Sequence, residues 1–425
     1  MGDRMSALET CKAACWATVW TASAQGPYPA GKATSQPELG FVFPDPARGA
    51  CDQSFRMVLH PSLWGPRLRL RFSNALGARD LVLSDVHVGL HGSSSAVVQG
   101  TNRPVFFEGK DTIIIPAGAW AWSDPVALED LSAPAALLDG RKLAVSFHVV
   151  GESGPMTWHA KAMQTSYISA PHVASGCADE GEAAFPYSTT SWYFLDAVEM
   201  NVEAPVIVCF GDSITDGSGS SMNGDDRWPD VLARRLRAAG LRAAVVNQGI
   251  SANEIIYPAA YDITRPTDGG PCALERIDRD VIALSGVTTV IWLEAINDFG
   301  RGKADVEAVA AGVRAGVARM RAGIPGVRIL AGLLTTAFGS TIPTHGGAQV
   351  EASRCAYNDF LRTCGLFDGV IDFEAATRDP QTGGLWAHMK PNSALGGPGD
   401  GLHPNRFGYQ AMGQAVELRL VSGET

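Results

Sequence analysis

Two patterns of apolar spacing divide the chain. From about Phe41 to Tyr193 the apolar residues come in short runs between turn residues, and no long stretch keeps a helical period. The clearest run is Arg67-Leu68-Arg69-Leu70-Arg71-Phe72. Its strict alternation predicts a half-buried strand with Leu68, Leu70 and Phe72 on one face and three arginines on a solvated face. Further strands are predicted at Leu81 to Leu83, Val86 to Leu90, Val105 to Phe107, Thr112 to Ile115 and Leu143 to Val150, between clusters of Gly, Pro, Asp and Ser. Many short strands with frequent turns predict an all-β sandwich of jelly-roll type.

Around residues 195 to 205 the pattern changes. Strand-length apolar runs at Val206 to Phe210, Ala243 to Val246, Val287 to Leu293, Val327 to Leu334 and Val370 to Phe373 now alternate with longer segments of helical character. The first of these, Arg227 to Ala239, ends at Gly240 and is expected to be capped by Asp226, with Pro229 in its first turn. Such alternation predicts a parallel sheet covered by helices on both faces, an α/β/α arrangement whose active crevice lies at the carboxyl ends of the strands. The expected organisation is a β-sandwich domain over 1–200 and an α/β domain over 201–425. The junction from Phe185 to Leu195 holds five large rings and predicts an apolar contact between the two.

Length agrees with two domains, since 425 residues exceed one ordinary core. A net charge of −10 argues against a nucleic-acid partner. No apolar run reaches the roughly 18 to 20 residues needed to span a bilayer, which predicts a protein with no integral membrane segment. The uncharged stretch from Ala13 to Ala24 ends in Ala22-Ser23-Ala24, which imitates a signal cleavage site, but its tryptophans and hydroxyls make a poor apolar core. Mature sequence is expected there, and a cytoplasmic protein over a secreted one. Of eight cysteines, Cys209 reads as a small core residue, and Cys11 and Cys15 lack the partners of a zinc site.

The candidate chemistry begins at Pro205 to Gly219, P-V-I-V-C-F-G-D-S-I-T-D-G-S-G, where a buried strand stops at a glycine-bounded polar turn bearing Ser213. That is where an α/β enzyme exposes a nucleophile. A serine needs a base, and His403 lies in Gly399-Asp400-Gly401-Leu402-His403-Pro404-Asn405 before the last helix, which Pro404 is expected to open. Asp400, three positions upstream, can hold the imidazole and set its tautomer. His345 and His388, with no such partner at hand, read as ordinary loop residues. Two other strand ends suit an oxyanion hole: Asn247-Gln248-Gly249-Ile250-Ser251, where Gly249 permits a close backbone N–H, and Glu294-Ala295-Ile296-Asn297-Asp298, where Asn297 offers a side-chain amide.

In that order G-D-S-I-T-D-G, N-Q-G-I-S, A-I-N-D and D-x-x-H-P-N resemble the four sequence blocks of the GDSL, or SGNH, hydrolases, over about Val206 to Leu420. The resemblance implies a flavodoxin-like three-layer fold and a serine esterase with Ser213 as nucleophile, His403 as base and Asp400 as its partner. The implied oxyanion donors are the Ser213 and Gly249 amides and the Asn297 side chain, with no metal or organic cofactor. The third block departs from the family pattern, with Ala295 where a glycine is usual. The β-rich part, including Trp20-Thr21-Ala22-Ser23 and Gly154-Pro155-Met156-Thr157-Trp158-His159, looks like the N-terminal region of a two-domain bacterial subgroup. The expected reaction is hydrolysis of a small-molecule or glycan-linked acyl ester. The rival readings are acyl transfer by the same triad and a carbohydrate-binding protein with an inactive hydrolase domain.

Overall fold

A computed structural model of the chain describes residues 15–128 and 138–422, so that Cys11 lies outside the described residues. The β-rich part runs through β1 (Trp16–Thr21), β2 (Gly26–Pro27), β3 (Cys51–Leu59), β4 (Arg67–Ser73), β5 (Leu81–Leu90), β6 (Arg103–Pro104), β7 (Thr112–Ile115), β8 (Trp120–Trp122), β9 (Val126–Ala127), β10 (Leu143–Glu152), β11 (Thr157–His159), β12 (Ser166–Ile168), β13 (Tyr187–Thr189), β14 (Trp192–Tyr193) and β15 (Leu195–Asn201). One sheet has the order β1-β15-β4-β8 and a larger one β13-β12-β3-β10-β5-β6, with β14-β11-β2 as a small third. Phe72 of β4 meets Phe147 of β10 with ring centroids 5.2 Å apart, so the two larger sheets bury rings against each other.

The alternation in β4 is realised, but its arginine face is not the solvated one expected. Arg71 is 1% exposed and its guanidinium grips Asp196 through two bonds of 2.7 and 3.2 Å, while Arg69 donates to Glu199 at 2.7 Å. Glu199 lies directly opposite Arg69 in the β4–β15 pairing, so cross-strand acids neutralise the face. Glu199 also accepts from the Ser285 N–H of the α/β part, which shows what covers it.

The α/β part carries β16 (Val206–Gly211), β17 (Ala244–Gly249), β18 (Val287–Leu293), β19 (Arg328–Gly332) and β20 (Gly369–Ile371), all paired in parallel in the order β17-β16-β18-β19-β20. In sequence terms that is 2-1-3-4-5, the flavodoxin-like order, with its switch point between β16 and β18. The helices are α1 (Ser213–Asp216), α2 (Trp228–Ala238), α3 (Ala273–Ile277), α4 (Ile296–Gly300), α5 (Val306–Gly323), α6 (Ala348–Thr363), α7 (Phe373–Thr377), α8 (Arg406–Ala415) and α9 (Arg419–Ser422). Two caps differ from expectation. Arg227, not Asp226, caps α2, its N–H donating to Asp230 in the first turn, whereas Asp226 accepts from Ser221 N–H. Asn405 caps α8 by accepting from Phe407 and Gly408, because Pro404, one residue earlier, lies outside the helix.

Among the described residues one contiguous apolar cluster runs from β1 and β4 through β16 to α8. Four of the five junction rings are buried, Tyr187 being partly exposed, and three of them pack inside the β-rich part: Tyr193 and Phe194 on Phe55, and Trp192 on Trp20 at 4.9 Å. Beside that shared apolar cluster, polar side chains link the β-rich part to the α/β part. Thr21 Oγ1 donates to Asn247 O at 2.9 Å, Ser23 Oγ to Asp280 at 2.9 Å, and Gln25 Nε2 to Ser251 O at 3.2 Å.

Candidate active site

Ser213 opens α1 immediately after β16, with Asp212 as the cap accepting from Ile214 N–H at 2.9 Å. A first-turn amide has no intrahelical acceptor, and the Ser213 N–H makes no hydrogen bond among the described residues. Gly211 and Gly217 are needed there. A Cβ at 211 would lie 2.3 Å from Leu293 O, and Gly217 ends the turn at φ 105°.

The C-terminal loop brings His403 to this turn. His403 Nε2 lies 2.8 Å from Ser213 Oγ and His403 Nδ1 lies 2.6 Å from Asp400 Oδ2. The other Asp400 oxygen accepts the N–H groups of Leu402 and His403, both at 2.9 Å. Burial by itself would raise the Asp400 pKa, but the hydrogen bond and charge of His403 and these two amides hold it well below the usual carboxylate range. A carboxylate fixed on Nδ1 leaves Nε2 as acceptor for the serine proton.

Asn297 comes to the same cavity from the start of α4, but Gly249 does not play the part expected of it. The Gly249 N–H is already donated to Asn247 Oδ1 at 2.8 Å, and a Cβ at this position would lie 2.1 Å from Asp216 N. The glycine is required for close packing under the Ser213 turn, not for approach to a ligand. The backbone amide that the loop does present is that of Ala252, which lines the cavity at φ 67° with its N–H making no hydrogen bond among the described residues. Nothing in the sequence marks Ala252, because a positive φ at alanine is imposed by its surroundings.

His345, read as an ordinary loop residue, is 3% exposed and sits against Asn297. Asn297 Nδ2 donates to the carbonyl of Asn253 at 2.9 Å, so its Oδ1 must face His345 Nε2, 3.2 Å away, which therefore carries the proton. Thr344 Oγ1 lies 2.8 Å from the other ring nitrogen and donates to it. Burial and then the nearby charges of His403 and Arg301 push the His345 pKa down to about 4, which keeps the ring neutral. Its hydrogen bond leaves one Asn297 N–H aimed away from Asn253. Ala295 precedes this loop at φ 128°, so the alanine adopts the conformation natural to the missing glycine at a cost in strain.

Two further residues support the strand ends, and no local motif announced either. Arg276 of α3 is fully buried on the Phe210 ring and donates to Gly211 O at 2.9 Å and Gln248 O at 2.8 Å, joining the ends of β16 and β17. His159 of β11 donates from Nδ1 to Ser23 O at 2.9 Å and from Nε2 to Asp216 Oδ1 at 3.1 Å. Both ring nitrogens face acceptors, so both are protonated. Burial opposes that charge, yet Asp216 and the carbonyls raise the His159 pKa, while burial's upward push on Asp216 is outweighed by His159.

The cavity, about 390 Å³, is lined by Ser213, His403, Asn297, Ala252 and His345 together with Lys32 and Lys161 from the β-rich part. Behind it, burial pushes the carboxyls of Asp212 and Glu254 up to about 7, Asp298 to about 6, and Glu294 well above its ordinary value. Among the described residues no helix is long and apolar enough to cross a membrane.

Serine, histidine and aspartate thus meet at the carboxyl edge of a parallel sheet, where open α/β sheets hold their ligands. Residues 209–411 match the model of the GDSL-like lipase/acylhydrolase family. The coarse kind of the protein is thus a hydrolase. No curated protein sequence matches the chain. Solved structures similar to it include an aryl esterase of M. smegmatis, 19% identical over 51% of this chain and 100% of that one, TM-score 0.38. Others are a carbohydrate acetylesterase family member from Sinorhizobium meliloti (18%, 52% and 99%, TM-score 0.38) and a lipase/acylhydrolase from Enterococcus faecalis (22%, 52% and 96%, TM-score 0.37).

Proposed function

We propose that the protein is a serine esterase that hydrolyses carboxylic acyl esters through an acyl-serine intermediate. The observation that carries this reading is the unbroken hydrogen-bond chain from Ser213 Oγ through His403 to Asp400, 2.8 and 2.6 Å, opening on the cavity. Ser213 Oγ adds to the ester carbonyl carbon while its proton passes to His403 Nε2, and the Asp400 charge stabilises the imidazolium. The carbonyl oxygen becomes an oxyanion. We assign its donors as the Ser213 N–H, the Ala252 N–H in the role expected of Gly249, and the remaining Nδ2 hydrogen of Asn297. Collapse breaks the bond to the alcohol oxygen, which takes the proton held by His403. Water, deprotonated by the same nitrogen, then adds to the acyl-serine, and the bond to Ser213 Oγ breaks as His403 returns the proton to that oxygen, releasing the carboxylic acid.

This sequence of steps calls for no metal or organic cofactor. The division into a β-sandwich domain over 1–200, of jelly-roll type, and a catalytic domain over 201–425 belongs to the same reading, with the first domain shaping the pocket through Lys32 and Lys161. Hydrolysis of an activated acetyl ester by wild type and Ser213→Ala tests the proposal. A fall on the order of 10⁶ in kcat is expected, and a variant keeping more than about a hundredth of the rate overturns the nucleophile assignment.

A further inference from the structure

Ester hydrolysis as such does not use the charge that surrounds Ser213. Three cationic side chains line the cavity, Lys32, Lys161 and Arg301, against one carboxylate, Asp268. Asp268 lies 3.7 Å from Lys32 and offsets that charge alone. Arg301 is exposed and the carboxyl whose charge it meets, Glu254, is pushed by burial up to about 7, toward its neutral form. Lys161 gives its ammonium to a neutral hydroxyl, Ser218 Oγ at 2.6 Å.

The carboxylates around Lys161 are committed elsewhere. Asp216 is bonded by the His159 imidazolium and by Ser251 Oγ at 2.6 Å, and Asp400 is bonded by His403. Burial pulls the Lys161 pKa down, which Asp216 and Asp400 partly oppose and Lys32 reinforces. The acids behind the cavity, Asp212, Glu254, Glu294 and Asp298, are all shifted toward their neutral forms by burial. A chain with a net charge of −10 thus presents a cationic cavity at its serine. Concave sites lined by one sign of charge concentrate ligands of the other.

We infer that the ester taken by this site carries an anionic group, a carboxylate or a substituent of like charge. Lys161 holds it on the wall shared with Ser218, and Arg301 and Lys32 draw it in at the mouth. The inference rests on the esterase reading and adds the class of substrate. Lys32 and Lys161 come from the β-rich part, which thereby selects the ester while the α/β part cleaves it.

Two pairs of esters test this on the full chain. p-Acetoxybenzoate against its methyl ester puts the charge on the leaving group, and p-nitrophenyl hemisuccinate against p-nitrophenyl butyrate puts it on the acyl group. At low salt one charged ester is expected to exceed its neutral counterpart in kcat/KM by about tenfold or more, mostly through KM, because charge-assisted hydrogen bonds are the strong ones. Raising the ionic strength from about 20 mM to about 500 mM should shrink that ratio several-fold. Lys161→Gln and Arg301→Gln should each lower it, and Arg301, being exposed, keeps the test valid if the Lys161 variant folds poorly. Hydrolysis of the neutral esters with no charged preference in either pair, or a preference that neither variant moves, overturns the inference and leaves the esterase reading standing. Failure to cleave all four esters overturns both.

Discussion

Two histidine–carboxylate pairs lie near Ser213 in the fold, and they do opposite things. In the C-terminal loop His403 and Asp400 are three residues apart, part-exposed, and the far ring nitrogen faces a hydroxyl. At the seam between the two halves His159 and Asp216 come from segments 57 residues apart, are almost wholly buried, and the far ring nitrogen faces the carbonyl of Ser23. A hydroxyl can give a proton to imidazole and a carbonyl cannot. A carboxylate partner therefore does not make a histidine a base; what the second nitrogen faces does. In the proposed mechanism one pair is the proton acceptor, while the other is a locked cation that ties the β-rich part to the turn bearing Ser213.

Removing the first pair should destroy chemistry and spare the fold. His403→Ala is expected to lower kcat on an activated ester by about 10⁶, with the urea midpoint nearly unchanged. A large drop in that midpoint would make His403 a structural residue and erase the contrast. The reverse holds for the second pair. His159→Gln leaves Asp216 buried without its cation and should cost about 3–5 kcal/mol in stability, since breaking a buried pair strands a charge. The check is equilibrium unfolding. A stability loss below about 1 kcal/mol, the level of an exposed ion pair, would show that the seam is not held this way.

Asn297→Ala sharpens the chemical side. It should lower kcat by roughly 10² to 10³ with little change in KM, the usual cost of one oxyanion donor. Unchanged kcat with a lower melting temperature would leave Asn297 as a structural turn residue.

The two histidines should also respond to pH with opposite signs. kcat/KM should rise with pH across the range in which histidine titrates, about 5 to 8, because only a neutral imidazole can take the serine proton. The His159 pKa is raised in the folded state, so its contribution to stability is complete below the unfolded value of about 6.5 and is lost as pH climbs through the folded value. Unfolding of wild type and His159→Gln from about pH 6 to about pH 9, spanning that loss, should show their difference shrinking at the alkaline end. A difference that grows with pH would mean His159 is neutral in the fold.

The smallest effect expected is at Ala295. Ala295→Gly should raise stability by about 1 kcal/mol, because glycine adopts φ 128° without the strain that alanine bears. A destabilised variant would show that packing of the buried methyl outweighs the strain.

What the sequence determined by itself was whatever depends on neighbours along the chain. Period-two alternation placed β4, and alternating apolar runs placed the five parallel strands with ends off by a few residues. Ser213 was legible from its strand end and the Asp400–His403 pair from a three-residue turn, while the meeting of the two across 190 residues was left to the fold. Only the tertiary structure decided which groups were already spoken for. The Gly249 amide was lost to Asn247, the arginines of β4 were buried by acids on β15, and His345 gained a role from Asn297, 48 residues distant. It also moved most of the junction rings into the β-rich core and added polar links between the two parts beside their shared apolar cluster. Hydrogen bonds and burial are settled by whichever groups arrive closest in space, and sequence order carries that information only over a turn or a strand.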